Sequence, residues 1–326
     1  MDSFDDKIAV ITGGGTGMGR ELARQLAAAG CHVAMCDVSK ENMARTKALC
    51  EEECEEQATV RITTHLADVS DEKQVLAFRD EVMQEQETDC VHLVFNNAGI
   101  GGAGSLINDD RESWEKTFDV CWYGVYYGTR AFLPLLLAAE EGHLINTSSV
   151  NGFWASLGPD MSNTAYSAAK FAVKGFTEAL INDFRLNAPH VNVSVVMPGH
   201  IGTSIVINSG RLHGRDPKEM SDEDLDEARK DLIRRGFDLS GATNEQIRQA
   251  LVMQGEMFRD AAPMTAAEAA TVILDGVRAR RWRILVGEDA VGLDRLVRED
   301  PEGAYGTEFM QRLVATTNWG LGNLGS

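Results

Sequence analysis

Apolar residues along the first two-thirds of the chain form short β-branched runs, and longer stretches with helical spacing separate these runs. Short apolar runs bounded by turn residues predict buried strands, whereas apolar positions three or four apart predict helices. The predicted strands are residues 8–12, 32–37, 60–66, 91–96, 143–148 and 191–197, with a last one at 283–286. The predicted helices are residues 20–29, 40–56, 72–86, 114–139, 165–187 and 266–278.

This alternation indicates βαβ units, in which parallel strands form a doubly wound α/β sheet with helices on both faces. The 326 residues fit a single domain, 1–326. Residues 204–262 break the alternation, since they are highly charged and then regain helical spacing. We interpret them as an inserted pair of helices that acts as a substrate lid before the last strand. We predict that the aromatic C-terminal extension, 290–326, packs on its own core or on a neighbouring subunit.

The charge balance is acidic, with 31 Lys and Arg against 50 Asp and Glu and a net charge of −19. Such a surface repels nucleic-acid phosphates and anionic membranes, so we expect neither as a partner. The first residues lack the features of a signal peptide, and no apolar run approaches the ~18 residues of a membrane span. The six cysteines show no paired spacing, so we expect no metal, and reduced thiols favour a cytoplasmic protein.

A glycine-rich turn follows the first predicted strand and precedes a helix. It contains Gly13, Gly14, Gly15, Thr16, Gly17, Met18 and Gly19. Glycines let a backbone turn tightly and approach a pyrophosphate, and the helix N-terminus offers free N–H groups to that anion. Because the turn lies between a strand and a helix, it predicts a Rossmann-type dinucleotide site.

Asp37 ends the second predicted strand, about twenty residues after the glycines. A carboxylate at this point accepts hydrogen bonds from ribose hydroxyls and repels a 2′-phosphate, which favours NAD over NADP. Asp37 as a mere turn or helix cap is the alternative interpretation. Arg20 and Arg24 lie nearby in the sequence and would weaken the preference for NAD.

Tyr166 and Lys170 are four residues apart and therefore share one face of a predicted helix. A neighbouring cation favours the phenolate, which suits a general acid/base. Upstream, a predicted strand ends in Ser148 and Ser149, whose hydroxyls are placed to bond a substrate oxygen. A tyrosine and a lysine at this spacing are common on helices, so the pair is informative only together with the other motifs.

These motifs occur in an order that resembles the classical branch of the short-chain dehydrogenase/reductase family. They are residues 12–19, Asp68 with Val69, residues 96–99, Ser149, Tyr166 with Lys170, and residues 198–203. The resemblance covers about residues 5–205 and extends more loosely through 283–286.

The resemblance implies a role for each matching residue. Tyr166 would be the general acid/base, Lys170 would lower its pKa and hold the nicotinamide ribose, and Ser149 would stabilise the substrate oxygen. Ser149 is preferred to Ser148 because it stands three residues before Gly152. The cofactor would be bound by Gly13, Thr16, Gly17, Met18, Gly19, Asp37, Asp68, Val69, Asn97, Ala98, Gly99, Tyr166, Lys170, Pro198, Gly199, Ile201 and Thr203.

Cys121 is a departure from the family pattern, which usually has an asparagine there that helps to hold a water in the proton relay. It is either a packing residue or a substitute in that relay. The loop 154–164 is also longer than usual in the family, and we expect it to border the substrate pocket.

The expected activity is hydride transfer between NAD and a secondary alcohol or ketone, in a homodimer or homotetramer. Phe153, Trp154, Ile205, Met253 and Phe258 either make the pocket suit a bulky apolar or aromatic substrate or only pack the lid. An NADPH-dependent carbonyl reductase is the main alternative, although Asp37 argues against it. A catalytically inactive cofactor-binding sensor is a further alternative, and a nucleotide-sugar epimerase or dehydratase fits the glycine spacing poorly.

Overall fold

Seven strands of the described residues pair in parallel in one sheet. The computed structural model describes residues 1–54, 60–102, 104–158, 161–234, 236–239, 241–317 and 319. The strands are β1 (Ile8–Thr12), β2 (His32–Asp37), β3 (Ile62–Leu66), β4 (Leu93–Asn96), β5 (Gly142–Thr147), β6 (Val191–Pro198) and β9 (Arg283–Val286). Two short strands, β7 (Ile201–Gly202) and β8 (Met264–Thr265), pair separately. The sheet order β3-β2-β1-β4-β5-β6-β9 confirms the predicted doubly wound parallel sheet.

Helices cover both faces of this sheet. They are α1 (Gly17–Ala28), α2 (Lys40–Glu53), α3 (Glu72–Glu85), α4 (Arg111–Phe118), α5 (Gly124–Ala138), α6 (Thr164–Asn187), α7 (Ile205–Leu212), α8 (Asp222–Arg234), α9 (Asn244–Asp260), α10 (Ala266–Arg278), α11 (Glu288–Glu299) and α12 (Thr307–Thr316). Side chains of β1 alternate between the faces: Ile11 packs with α1 and α10, and Val10 packs with α3, α5 and α6. Burial on both faces explains why the strands are nearly continuous apolar runs.

Several boundaries differ from the sequence prediction. The strands predicted at 60–66 and 91–96 begin at Ile62 and Leu93, and the helix predicted at 20–29 begins in the glycine turn at Gly17. The helix predicted at 40–56 ends at Glu53, and residues 55–56 lie outside the described residues.

The long helix predicted at 114–139 begins earlier and is interrupted. Asp110 caps α4, because its carboxylate accepts a hydrogen bond from the Ser113 N–H at 2.7 Å. Between α4 and α5 the chain makes one π-helical turn, Asp119–Tyr123, which contains Cys121. Such wider turns are frequent at functional sites.

The helical insertion before the last strand of the sheet is confirmed, but its predicted pair of helices is wrong. Three helices, α7, α8 and α9, occupy the described part of the insertion; residues 235 and 240 lie outside it. The sequence pattern did not indicate α7. This helix is short, and its apolar positions do not extend over a long periodic stretch.

The C-terminal extension packs on the core of its own chain, which is one of the two arrangements that the sequence predicted. Phe309, Leu313 and Trp319 are buried in one cluster with Trp154 and with Leu293 of α11. Residues 318 and 320–326 of the extension lie outside the described residues. Among the helices that the structure describes, none has the length and apolar character to cross a membrane.

Candidate active site

A cleft of about 320 Å³ lies beyond the carboxyl ends of β1, β2, β3 and β4. The strand order reverses between β1 and β4, and ligands of open α/β sheets bind at such a switch point. Most of the predicted cofactor residues line this cleft. They are Gly13, Thr16, Gly17, Met18, Asp37, Asp68, Val69, Asn97, Ala98, Gly99 and Thr203.

The glycine turn forms the floor of the cleft and has no room for side chains. Gly13 has φ +68° and Gly17 has φ +55°, and a Cβ on Gly13 would lie 2.9 Å from the Ala98 Cα. A Cβ on Gly19 would lie 2.0 Å from the Gly13 carbonyl oxygen, so Gly19 brings α1 against the turn rather than lining the cleft. These residues fit the close backbone approach that a dinucleotide pyrophosphate needs.

Asp37 is held at the wall of the cleft by backbone donors. Its carboxylate accepts hydrogen bonds from the N–H groups of Gly15 and Ser39, each at 3.0 Å. The role of Asp37 in the turn is compatible with a ribose-binding role. After it accepts the two hydrogen bonds, the carboxylate still has lone pairs available for ribose hydroxyls.

The two arginines that would weaken a preference for NAD are engaged elsewhere. Arg20 donates to the Gly15 carbonyl and, at 3.0 Å, to the Thr46 hydroxyl. Arg24 forms ion pairs with Glu21 and Glu53. Neither arginine is among the residues that line the cleft.

Thr12 fastens the loop that follows β4 to the glycine turn. Its hydroxyl accepts hydrogen bonds from the N–H groups of Asn97 and Ala98, each at 3.0 Å, and the Asn97 amide donates to the Thr12 carbonyl at 3.1 Å. These bonds join the two walls of the cleft, although Thr12 itself does not line it.

Ser149, Tyr166 and Lys170 come together beside this loop. Ser149 is near enough to Tyr166 for its hydroxyl to lower the pKa of the phenol, and the Lys170 Nζ lies 5.4 Å from the centroid of the tyrosine ring. Lys170 is buried, and its Nζ donates to the Thr147 carbonyl at 2.9 Å. A Cβ on Gly99 would lie 3.5 Å from this Nζ, so the lysine adjoins the cleft.

The two serines at the end of β5 have different environments. The Ser148 hydroxyl donates to the Lys170 carbonyl at 2.7 Å, which occupies it within the fold. The Ser149 hydroxyl instead accepts a hydrogen bond from the Asn151 N–H at 3.1 Å and lowers the pKa of the neighbouring Tyr166. This arrangement favours Ser149 as the residue that meets substrate.

Burial dominates the electrostatics of the pair. It raises the pKa of Tyr166, the neighbouring Cys121 thiol adds to the rise, and the hydrogen bond with Ser149 lowers it. Burial also lowers the pKa of Lys170. The expectation that Lys170 lowers the pKa of Tyr166 stays a prediction, supported by the short distance from cation to ring.

Pro198, Gly199 and Ile201 do not line the cleft, in contrast to Thr203. A Cβ on Gly199 would lie 2.3 Å from the carboxylate oxygens of Asp289, a buried residue of α11. Asp289 also accepts a hydrogen bond from the His200 N–H, and burial raises its pKa. The residues that precede Thr203 in this motif therefore pack against α11 and support Thr203 without lining the cleft.

Cys121 lies next to Tyr166 and Lys170. It is fully buried, and its thiol donates to the Ile100 carbonyl at 3.1 Å. A Cβ on Gly99 would lie 3.8 Å from its Sγ, so the cysteine is close to Lys170 and to the cleft. Its position is compatible with both interpretations, a packing residue and a member of the relay.

Sequence reasoning missed about half of the lining residues. They are Val38, Ser39, Asn42, Ala67, Ile100, Lys116, Val120, Asn208, Arg211 and Leu212. The first four stand beside predicted residues or one helical turn beyond them, so proximity to Asp37 and Asp68 was an available signal. No sequence signal identified the members on α4 and α7.

Helix α7 spans the cleft and contacts both of its rims. The Asn208 amide donates to the Thr16 hydroxyl at 3.2 Å on the glycine-turn side. On the opposite side the Ser209 hydroxyl accepts from the Gly101 N–H at 2.8 Å, and Lys116 donates to the Leu212 carbonyl. The first helix of the insertion thus covers the cleft.

The large apolar residues that the sequence offered to the pocket differ in burial and in contacts. Trp154 is fully buried in the C-terminal cluster, against which Phe153 packs, and the Phe258 ring lies tilted against His200 with 4.5 Å between the ring centroids. Met253 is exposed, and Ile205 lines the cleft. Trp154 and Phe258 therefore fit the packing alternative, and Ile205 fits the pocket alternative.

Comparison with known proteins agrees with this arrangement. The model of the short chain dehydrogenase family matches residues 7–212. SadH of Mycobacterium tuberculosis, whose name assigns it only to the oxidoreductases, is 34% identical over 315 residues, which are 97% of this chain and 96% of SadH. The fold and the site define a dinucleotide-binding oxidoreductase, and the chain belongs to the short-chain dehydrogenase/reductase family.

Solved structures show the same fold. A short-chain dehydrogenase/reductase from Burkholderia phymatum in complex with NAD superposes with a TM-score of 0.73 at 30% identity, covering 93% of this chain and 96% of that one. An alcohol dehydrogenase from Thermococcus sibiricus complexed with 5-hydroxy-NADP has a TM-score of 0.53 at 27% identity, covering 62% and 79%. Members of this fold therefore bind NAD or NADP.

Proposed function

We propose that this protein is an NAD-dependent dehydrogenase or ketoreductase that interconverts a secondary alcohol and a ketone. The observation that carries the proposal is the meeting of Ser149, Tyr166 and Lys170, with the Lys170 Nζ next to Gly99, which lines the cleft. A half-buried phenol with a hydroxyl and an ammonium beside it is suited to moving a proton to and from a substrate oxygen.

The residues divide the reaction as follows. Tyr166 takes the hydroxyl proton of the alcohol as phenolate, or returns it to the ketone oxygen as phenol. The Ser149 hydroxyl donates a hydrogen bond to that oxygen and orients it. The Lys170 ammonium favours the phenolate and thereby offsets the burial that raises the pKa of Tyr166. The bound nicotinamide supplies or accepts the hydride.

NAD is the proposed cofactor rather than NADP. Asp37 is held at the cleft by two N–H donors, and a carboxylate there repels a 2′-phosphate. The engagement of Arg20 and Arg24 with other partners leaves them unsuited to neutralise that phosphate without rearrangement. Tyr166, Lys170, Pro198, Gly199 and Ile201 remain proposed cofactor contacts on family grounds.

A bulky apolar alcohol or ketone is the proposed substrate class. Ile100, Val120, Ile205 and Leu212 give the covered part of the cleft an apolar wall. An apolar pocket favours apolar substrates through burial of their surface.

The wider assignments are also proposals. We place residues 1–326 in one domain with 204–262 as the lid and 290–326 as the extension. The exposed Tyr123 and Phe171 support a homodimer or homotetramer. The six free cysteines support the cytoplasm.

An NADPH-dependent carbonyl reductase is the second candidate function, because the family includes members with either nucleotide. Turnover of a panel of aliphatic, benzylic and steroidal secondary alcohols with NAD or NADP tests both candidates. Turnover with NAD that is lost in Tyr166→Phe supports the first. A preference for NADP supports the second. Binding of NAD without any turnover supports an inactive sensor.

A further inference from the structure

The loop that follows Ser149 is organised by one buried side chain, Asn151. The Asn151 N–H donates to the Ser149 hydroxyl at 3.1 Å. Its side-chain amide donates to the carbonyls of Trp154 at 3.0 Å and Ser156 at 2.7 Å. The position of the Ser149 hydroxyl is therefore linked to the backbone of residues 154–156.

A C-terminal segment holds the same loop from outside. We call this segment the C-terminal clamp; it comprises the turn Gly303–Tyr305, helix α12 and Trp319. The Trp154 indole N–H donates to the Ala304 carbonyl at 2.7 Å, and the Ala155 N–H donates to the Tyr305 hydroxyl at 3.2 Å. The first bond joins the clamp to Trp154, which Asn151 also holds, and the second joins it to the next residue.

Aromatic packing makes this attachment rigid. Trp154 is 1% exposed, and its ring lies 5.5 Å from Phe309 and 5.6 Å from Trp319. An indole N–H buried without a partner is costly, so the Ala304 carbonyl determines the orientation of the ring.

The far end of the loop is also attached, and it leads directly to Tyr166. The Thr164 N–H donates to the Gly104 carbonyl at 2.9 Å, and the Trp114 indole donates to the Thr164 hydroxyl at 3.1 Å. Thr164 begins α6, so the loop starts at one catalytic residue and ends two residues before the other.

We propose that the C-terminal clamp positions this loop on the substrate side of the site, with Trp154 and Tyr305 as positioning residues. The inference rests on the proposed function. The clamp lies outside residues 7–212, the part of the chain that the family model matches. The clamp sets the alignment of substrate with Ser149 and leaves binding of NAD unchanged, since none of its residues lines the cofactor cleft.

Two conservative variants test the proposal with purified full-length protein. Trp154→Phe and Tyr305→Phe each remove one hydrogen bond to the loop and keep an aromatic ring. For the best alcohol of the panel we expect kcat to fall roughly tenfold, because small misplacements of a reacting group are expensive. The ratio of activities on bulky and small alcohols changes, and the dissociation constant for NAD stays unchanged. Trp282→Phe alters an exposed tryptophan and serves as the matched control, with wild-type values expected.

A second measurement does not depend on turnover. The folded protein is digested with chymotrypsin, and mass spectrometry measures the rate of cleavage after Leu157. This rate reports how firmly the loop is held. We expect faster cleavage at this site in both variants than in the wild type or Trp282→Phe.

The outcomes separate this inference from the proposed function. If the wild type turns over no alcohol, the proposed function fails and the cleavage rates alone decide the inference. Wild-type kinetics together with wild-type cleavage rates in both variants would overturn it. A parallel loss of NAD binding, activity and thermal stability would also overturn it, because the clamp would then only support the fold.

Discussion

The Asp289 carboxylate accepts a hydrogen bond from the backbone N–H of His200 at 2.7 Å, although 89 residues separate the two in the chain. The contact joins the start of α11 to the loop that carries Thr203 into the cleft. Asp289 also accepts from the Ala290 N–H at 2.9 Å and occupies the space beside Gly199. A residue far from the family motifs therefore supports the cofactor side of the site.

Asp289→Ala removes this support. It leaves the buried His200 N–H without its acceptor, so we expect a loss of about 1 to 3 kcal/mol in unfolding free energy and weaker NAD binding. Asp289→Asn keeps one acceptor oxygen, and because burial raises the pKa of the carboxyl, a neutral side chain is tolerated there. We expect it to be the milder variant. Thermal unfolding and NAD titration measure both effects, and an Ala variant equal to the wild type in both would refute this role.

Asp37→Asn tests the basis of cofactor choice. The change removes the charge that repels a 2′-phosphate while keeping a similar shape. Like charges placed together cost several kcal/mol, and 1.4 kcal/mol is a factor of ten, so we expect the NAD-to-NADP ratio of kcat/KM to fall at least roughly tenfold. Thermal unfolding checks that loss of the bonds to Gly15 and Ser39 has not disrupted the turn. An unchanged ratio in a folded variant would show that Asp37 does not select the nucleotide.

His143 makes the stability of the fold sensitive to acid. It is buried in β5, and its Nε2–H donates to the Ser194 hydroxyl at 2.7 Å, since that hydroxyl itself donates to the Arg281 carbonyl. Burial, followed by the charges of the Met1 amino group and Arg280, lowers the pKa of His143 to about 3. The unfolded chain has the ordinary value of about 6.5 and therefore takes up the proton first as the pH falls.

The contribution of His143 is therefore fully present above about pH 6.5 and is lost progressively towards pH 3. Between about pH 7 and about pH 4 this amounts to about 3 kcal/mol. His143→Gln keeps a donor and cannot titrate, so its unfolding free energy, measured by urea denaturation across this range, should fall less steeply than that of the wild type. Parallel curves for the two proteins would contradict the prediction.

Cys121→Ala distinguishes packing from participation in the proton relay. Removing the thiol takes the donor from the Ile100 carbonyl, so we expect a loss of about 1 kcal/mol in stability. If Cys121 only packs, kcat falls less than about tenfold, well short of the 10²–10⁴-fold effect of a proton-transfer group. Cys121→Ser keeps a donor and serves as the control. A kcat loss beyond 100-fold in Cys121→Ala, recovered in Cys121→Asn, would instead place this position in the relay.

Local patterns predicted what depends on neighbouring residues. The β-branched runs predicted the strands of the sheet, and the glycines between Thr12 and α1 predicted the cleft, because tight turns and buried strands each have a strong local signature. The pairing of Ser149 with Tyr166 was predicted through the family resemblance, since the two are on different elements.

Contacts between distant segments were not predictable in this way. Asn208 reaches Thr16 across 192 residues, and nothing in either local sequence indicates the partner. The sequence left open whether Trp154 shapes the pocket or only packs the lid, and it did not indicate the C-terminal residues, about 150 residues away, that bury it. The interruption of the long helix at Asp119–Tyr123 also lacks a signal, because no proline or glycine precedes it there.

The most direct test of the central claim is to follow the hydrogen that leaves the alcohol. The protein is incubated with NAD and a secondary alcohol carrying deuterium on its carbinol carbon, and mass spectrometry of the reduced nucleotide measures the label. The account predicts one deuterium per reduced nicotinamide in the wild type and no reduced nucleotide above background in Tyr166→Phe. Reduced nucleotide without deuterium, or labelled nucleotide formed equally by Tyr166→Phe, would contradict direct hydride transfer with Tyr166 as the acid/base.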